Sequence, residues 1–240
     1  MSRLLVEVCL SPQLYPSYHR DNAIVVVIDI FRATSAICTA FQYGVHSMIP
    51  VAGLEEARKY KEQGFLVGAE RDGVPVEGFD FGNSPFSYMT KRIQGQTVVI
   101  STTNGTQAVE AARKAKKVVI GSFLNMTALS EWLLSQESEI ILLCSGWKNR
   151  FSMEDTLFAG AIAGRLSQST LPYLLGDAAL AAKYMFQQAQ KNPYRLLHES
   201  SHKKRLHALG LKEDIKYCLS LDHTSAIPWL QGPELVLLNS

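Results

Sequence analysis

The chain has 240 residues, 47% of them hydrophobic and 19% charged, which is enough to bury a core and too apolar for intrinsic disorder. Its 24 basic and 22 acidic residues leave a formal charge of +2, with no footprint for nucleic acid. No apolar run reaches the roughly 18 residues of a membrane span, and the scattered Cys9, Cys38, Cys144 and Cys218 form no C-x-x-C pair. Buried free thiols in a reducing compartment are expected, hence a cytoplasmic protein with neither nucleic-acid nor membrane partners.

In chain order, residues 23–28 (AIVVVI) are a continuous β-branched run, followed by a polar loop at Asp29 and a helical pattern from about Thr34 to Gly44. Residues 65–69 read as a strand. Residues 70–85 (ERDGVPVEGFDFGNSP) are rich in glycine, proline and carboxylates and read as a long loop of the kind that carries function. Strand, loop and helix then return at 97–115, at 118–135 and at 139–166, where the apolar strand EIILLC precedes an apolar helix. Beyond Gly176 the pattern is mainly helical through Gln190 and again over 198–210. Fully apolar strands alternating with helices predict an α/β fold with a mostly parallel sheet flanked by helices on both faces and a helical C-terminal part. One domain over 1–240 is expected, or two tightly packed lobes with the second from about residue 140. Ligands then belong at the carboxyl ends of the strands.

Several groups there could do chemistry. The loop Ser101, Thr102, Thr103, Asn104, Gly105, Thr106 precedes a helix, where free backbone N–H groups and the helix dipole suit an anion. An ordinary N-cap explains the same residues. Asp29 and Arg32 could serve a metal and a phosphate, or could simply pair and close the loop. Glu154 and Asp155 lie in a helical first turn, which carboxylates favour whatever their function, and their side chains diverge by about 100°. Arg150 and Ser152 could donate to a phosphate or cap. The run from His202 to Arg205 reads as solvated surface, and His198 with His202 lacks a third zinc ligand. No G-x-S-x-G elbow, tyrosine-phosphatase loop or Walker A sequence is present.

Longer strings resemble one family. Residues 29–34 (DIFRAT) are similar to its D-x-x-R-A-T segment, 68–73 (GAERDG) to G-x-E-R-x-G, and 78–85 (GFDFGNSP) to G-F-D-x-G-N-S-P. Residues 102–106 (TTNGT), 121–125 (GSFLN) and 150–157 (RFSMEDTL) follow in the expected order, and Ser201-His202 and Leu209-Gly210 look like the family's ending. The chain resembles the 2-phosphosulfolactate phosphatases of coenzyme M biosynthesis over about residues 3 to 230. That resemblance implies hydrolysis of (R)-2-phospho-3-sulfolactate to 3-sulfolactate and phosphate, with Mg²⁺ as cofactor.

Carried over residue by residue, it implies Asp29, Arg32, Glu70, Asp80, Glu154 and Asp155 as catalytic, with Asp29, Glu70, Asp80 and Glu154 available to the metal. Thr34, Arg71, Asn83, Thr102 to Thr106 and Ser122 are implied to bind substrate, and Arg32 or Arg71 to stabilise the phosphoryl oxygens. Attack by a carboxylate-activated water is favoured over an aspartyl-phosphate. Where a C-A-G-x-x-G-like stretch is expected, the chain reads Cys144-Ser-Gly-Trp-Lys-Asn149, with bulk at the rim that bears on the substrate's acidic tail. Two other readings stand beside this one, a phosphatase for another 2-phospho-hydroxy acid and a non-catalytic binder of phosphorylated or sulfonated acids. A homodimer is the base-rate expectation for a soluble enzyme.

Overall fold

A computed structural model describes residues 3–189 and 192–238. Its strands are β1 (Leu4–Cys9), β2 (Ile24–Ile28), β3 (Ser47–Pro50), β4 (Leu66–Arg71), β5 (Val74–Pro75), β6 (Thr97–Ser101), β7 (Lys117–Gly121), β8 (Ile140–Cys144), β9 (Tyr173–Leu175), β10 (Pro228–Gln231) and β11 (Glu234–Leu237). The helices are α1 (Tyr15–Tyr18), α2 (Ala33–Gln42), α3 (Leu54–Glu62), α4 (Gly105–Ala112), α5 (Met126–Ser135), α6 (Met153–Ser167), α7 (Asp177–Ala189), α8 (Pro193–Leu196), α9 (Ser201–Ala208) and α10 (Lys212–Cys218). Among the described residues, no helix is long and apolar enough to cross a membrane.

The expected α/β fold is present. β2 explains why its strands read as unbroken apolar runs: all five of its residues are buried, and alternate side chains point to opposite faces. Ile24, Val26 and Ile28 join a core with Leu142, Phe158 and Ile162. Val25 and Val27 join the opposite core with Ile37, Cys38 and Ala108. Both faces of the sheet are therefore covered by helices, as parallel strands require.

The eleven strands form one sheet in the order β5-β4-β6-β3-β11-β10-β7-β2-β8-β1-β9. β6 is flanked by parallel β3 and β4, and β7, β2, β8, β1 and β9 form a second parallel set. The antiparallel C-terminal hairpin β10–β11 bridges the sets, with a single register pair on each side, Trp229 with Val119 and Leu235 with Met48. Three successive antiparallel steps make the two sets run in opposite senses along the ladder. The loops after β2 and after β6 nevertheless line one cleft, so the sheet turns at this hairpin.

The sequence reading placed β2, β4, β6, β7 and β8 and the helices after four of them. It passed over β1, whose six residues include Glu7, the short β3, β5 and β9, and the hairpin β10–β11, which is broken by Pro228 and the Gly232 turn. Helices α7 to α10 form the expected helical part before the chain returns to the sheet. Gln190, the predicted end of α7, lies outside the described residues. The four cysteines are buried and free, and burial pushes the Cys9 thiol up to about 11 and Cys218 to about 12.

Candidate active site

The cleft opens where β2, β4 and β6 end, with α9 laid across it, and spans about 340 Å³ counted to its solvent mouth. The structure brings Asp29, Arg32, Glu70, Asn83, Thr102, Thr103 and Asn104 together in its lining. Asp29 is the first residue past β2 and is 7% exposed. Thr34 closes the turn behind it, its hydroxyl donating to the Asp29 carbonyl at 2.9 Å and accepting from the Asp29 N–H at 3.1 Å. Burial pushes the Asp29 carboxyl up to about 6, opposed by His202 and assisted by Glu70 and Glu154.

Glu70, on the last turn of β4, is held by the hairpin that follows. Asp72 and Gly73 both have positive φ, 53° and 89°, the two-residue turn that an Asp-Gly pair favours between strands. The Gly73 N–H donates to Glu70 Oε1, and Asn83 Nδ2 donates to Glu70 Oε2 at 3.4 Å. The same turn presents the Gly73 carbonyl to Arg32 Nη2 at 2.8 Å, while Arg32 Nη1 donates to Asp214 Oδ1 on α10 at 2.7 Å. Arg32 does not pair with Asp29. Its buried ion pair ties the β2 loop to the β4–β5 turn and to α10.

On the β6 side, the N–H groups of Thr103 and Asn104 have no intramolecular acceptor among the described residues, and the buried Thr103 Oγ1 and Asn83 Oδ1 also lack partners. Polar groups buried without partners are rare and call for a missing one. Across the cleft, His202 on α9 places Nδ1 2.6 Å from Oε1 of Glu154, itself 1% exposed in the first turn of α6. Burial would raise the Glu154 carboxyl, but the hydrogen bond and charge of His202 outweigh it and hold the group below its ordinary range. An ionised Glu154 can only accept, so Nδ1 carries the proton and donates.

His202 and Arg205 correct the expectation of a solvated surface. The His202 side chain is 15% exposed, and it lines the cleft with Arg205 three residues on, on the same face of α9. The signal was the Ser201-His202 pair in the resembling tail. His198, by contrast, is exposed and pairs with Glu199 at 2.9 Å.

Seven other residues implied for the site are occupied elsewhere. Asp80 accepts from Lys61 and Arg92, both at 2.6 Å, and from the Val67 N–H at 2.9 Å, which pins the long loop to β4 and α3. Arg71 is spent on Glu70 O and on Ser101. Asp155, 2% exposed, clamps two loops by accepting from Ile30 N at 2.9 Å and Gly146 N at 3.1 Å. Burial and the charges of Asp29 and Glu154 push its carboxyl well up. Thr34 and Thr106 are consumed by their own turns, and Ser122 caps the turn after β7 and touches Ser35 Oγ at 3.0 Å. At Gly105 the absent side chain makes room for protein: a Cβ would lie 2.7 Å from Ala33 Cβ and 3.0 Å from Asp29 Oδ2. Ser152 accepts from Asp155 N as a cap, and Arg150 is exposed.

The four carboxylates named as available to a metal, Asp29 with at least one of the others, do not all converge. Among the described residues no group of three or more His, Cys, Asp or Glu side chains is arranged to hold an ion, because Asp80 is turned away and Glu154 is taken by His202. Asp29 and Glu70 remain, and the charge of Glu70 adds to burial in raising the Asp29 carboxyl. They and Asn83, whose Oδ1 has no partner, all line the cleft, oxygen donors of the kind a magnesium ion that keeps several waters would take.

A polar cleft at the carboxyl ends of strands, lined by ionisable side chains, is where an α/β enzyme carries its active site. A family model described as 2-phosphosulpholactate phosphatase matches residues 9–233. A protein of Thermotoga petrophila named "Probable 2-phosphosulfolactate phosphatase" is 42% identical over 88% of this chain and 91% of its own. Proteins of the same name from Gloeobacter violaceus and Caldanaerobacter subterraneus subsp. tengcongensis are 39% and 36% identical, over 93% and 92% of this chain and 94% and 95% of their own. The chain belongs to the 2-phosphosulpholactate phosphatase family, and with it to the phosphoric monoester hydrolases.

Proposed function

We propose that the protein hydrolyses (R)-2-phospho-3-sulfolactate to 3-sulfolactate and phosphate with Mg²⁺ as its cofactor. The observation that carries this reading is that, within the matched span, the side-chain oxygens of Asp29, Glu70 and Asn83, unpaired donors after β6 and a His202 held by Glu154 meet on one cleft. Asp29, Glu70 and Asn83 would hold the magnesium ion, whose charge offsets that of the phosphate oxygens.

The N–H groups of Thr103 and Asn104, with the Thr103 hydroxyl, donate to the phosphoryl oxygens. His202, oriented by Glu154, delivers its second ring proton to the oxygen on C2 as the phosphorus–oxygen bond breaks, and a water oxygen bonds to phosphorus in its place. Phosphoryl transfer passes through a loose transition state with much charge on the leaving oxygen, so protonation there matters more than deprotonation of the attacking water. Glu154 stabilises the charged imidazole before transfer.

The test is phosphate release from 2-phosphosulfolactate and related 2-phospho acids, with Mg²⁺ and with excess chelator. Release that is fastest for phosphosulfolactate and stops with chelator supports the proposal. Metal-dependent release that favours another acid keeps the chemistry and moves the substrate, and release indifferent to chelator removes the metal.

A further inference from the structure

We infer that Arg205, held against the indole of Trp147, is the residue that selects substrates bearing a second acid group beyond the phosphate, and this inference rests on the phosphatase reading of the same cleft. Three cationic side chains line that cleft, Arg32, His202 and Arg205. Arg32 is committed to Asp214 and the Gly73 carbonyl, and His202 to Glu154. Arg205 takes part in no ion pair among the described residues, and its buried Nε has no acceptor. A guanidinium that is partly desolvated and unpaired is costly unless an anion completes it. The substrate must supply that anion, because the cleft's own carboxylates are engaged or are proposed to hold the magnesium ion.

Trp147 fixes where Arg205 can point. The Trp147 N–H donates to the Arg150 carbonyl at 3.1 Å, and the Arg150 N–H to the Trp147 carbonyl at 3.0 Å. This closes a two-residue turn in which Lys148 and Asn149 have φ of 51° and 59°. The turn is anchored to the β6 loop by the Lys148 N–H donating to Asn104 Oδ1 at 3.2 Å. The Arg205 guanidinium carbon lies 4.0 Å from the centroid of the Trp147 ring, within stacking distance. A stacked guanidinium keeps its in-plane N–H groups free for the paired oxygens of a carboxylate or sulfonate. The bulk of Trp147 at the rim thus becomes a shelf for the specificity arginine, the part that neither Arg32 nor Arg71 is free to play.

The experiment compares kcat/KM of the unaltered protein, Arg205→Gln, Arg205→Lys and Trp147→Ala on phosphosulfolactate, 2-phospholactate and a simple alkyl phosphate without an acid tail. Arg205→Gln is expected to lose about 10- to 100-fold on a substrate whose second acid it pairs with, and less than about threefold on the alkyl phosphate. Arg205→Lys should recover only part of the loss because it has no planar fork, and Trp147→Ala should share the pattern. Loss on both acids assigns the carboxylate, and loss on phosphosulfolactate alone assigns the sulfonate. Equal loss on all three substrates, or none on any, overturns the inference. Should the unaltered protein release no phosphate, calorimetric binding of 3-sulfolactate and of inorganic phosphate decides separately: Arg205→Gln weakening only the former keeps the shelf while the hydrolase reading fails, and unchanged binding of both removes it.

Discussion

His202 Nδ1 lies 2.6 Å from Glu154 Oε1, a bond between the first turn of α6 and the first turn of α9 that fixes the tautomer of an imidazole lining the cleft and leaves its other nitrogen without a protein partner among the described residues. If that nitrogen protonates the leaving oxygen, His202→Asn should lower kcat by about 10²- to 10⁴-fold with little change in KM. Glu154→Gln should lower it less and move the alkaline limb of the rate profile, because a general acid works only while it holds its proton. The defect should shrink for an aryl phosphate, whose leaving group needs no proton. A His202→Asn variant equally impaired on alkyl and aryl substrates would assign the histidine to binding.

Asp29 makes an opposite demand on stability and on activity. Its folded-state pKa, about 6, lies above the ordinary 3.8, so the folded chain holds its proton over a window where the unfolded chain has lost it. Stability from this group is complete below about pH 4 and falls as pH rises toward 6. Asp29→Asn should therefore be inactive yet more stable at pH 7 in chelator, by up to about 3 kcal/mol. Denaturant unfolding at pH 5 and pH 7 reads it directly. A variant less stable than the unaltered protein at both values would mean that the carboxylate is compensated by a partner.

The buried strands were legible because burial on both faces leaves no polar residue to interrupt them, as β2 and β8 show. β10 and β11 were not legible, since a hairpin with a proline and a glycine turn resembles a loop until the two parallel sets it joins are known. At the site, Asp29, Glu70, Asn83 and the Thr102 to Asn104 loop could be placed on one rim from topology and resemblance. Asp80 could not be excluded, because its partners Lys61 and Arg92 come from outside any motif. His202 and Arg205 were hidden for the converse reason. Their run HKKR has the composition of a solvated face, and only the packing of α9 over the cleft selects two of its four cations. The Asp72-Gly73 pair was a readable hairpin signal that the surrounding breakers concealed.

Asp80 separates a structural carboxylate from a reacting one. Its three donors hold the carboxyl below its ordinary range, burial being outweighed by the bonds from Lys61, Val67 and Arg92. Its contribution is thus present at neutral pH and fades as pH drops below about 4. Asp80→Asn should cost about 1–3 kcal/mol of stability while leaving kcat within about threefold at a temperature where the variant is folded. A kcat loss of two orders of magnitude in a folded variant would return Asp80 to the chemistry.

Gly105 tests whether the closeness of α4 to Asp29 matters. A methyl group there would meet Ala33 Cβ at 2.7 Å, closer than packed atoms tolerate, and Asp29 Oδ2 at 3.0 Å, a tight contact that the carboxylate must ease by a small shift, and Ala33 is held by the start of α2. The carboxylate is the softer neighbour, and Thr34 fixes its backbone, so the adjustment falls on the Asp29 side chain. Gly105→Ala should lose about 1–3 kcal/mol of stability from overpacking. On the proposed role of Asp29 as a magnesium ligand, it should also raise the Mg²⁺ concentration needed for half-maximal activity, at least tenfold. If only stability changes, the contact with Ala33 takes up the strain and Asp29 keeps its place; if only the metal requirement changes, the helix has moved as a unit and carried the Thr103 and Asn104 donors with it.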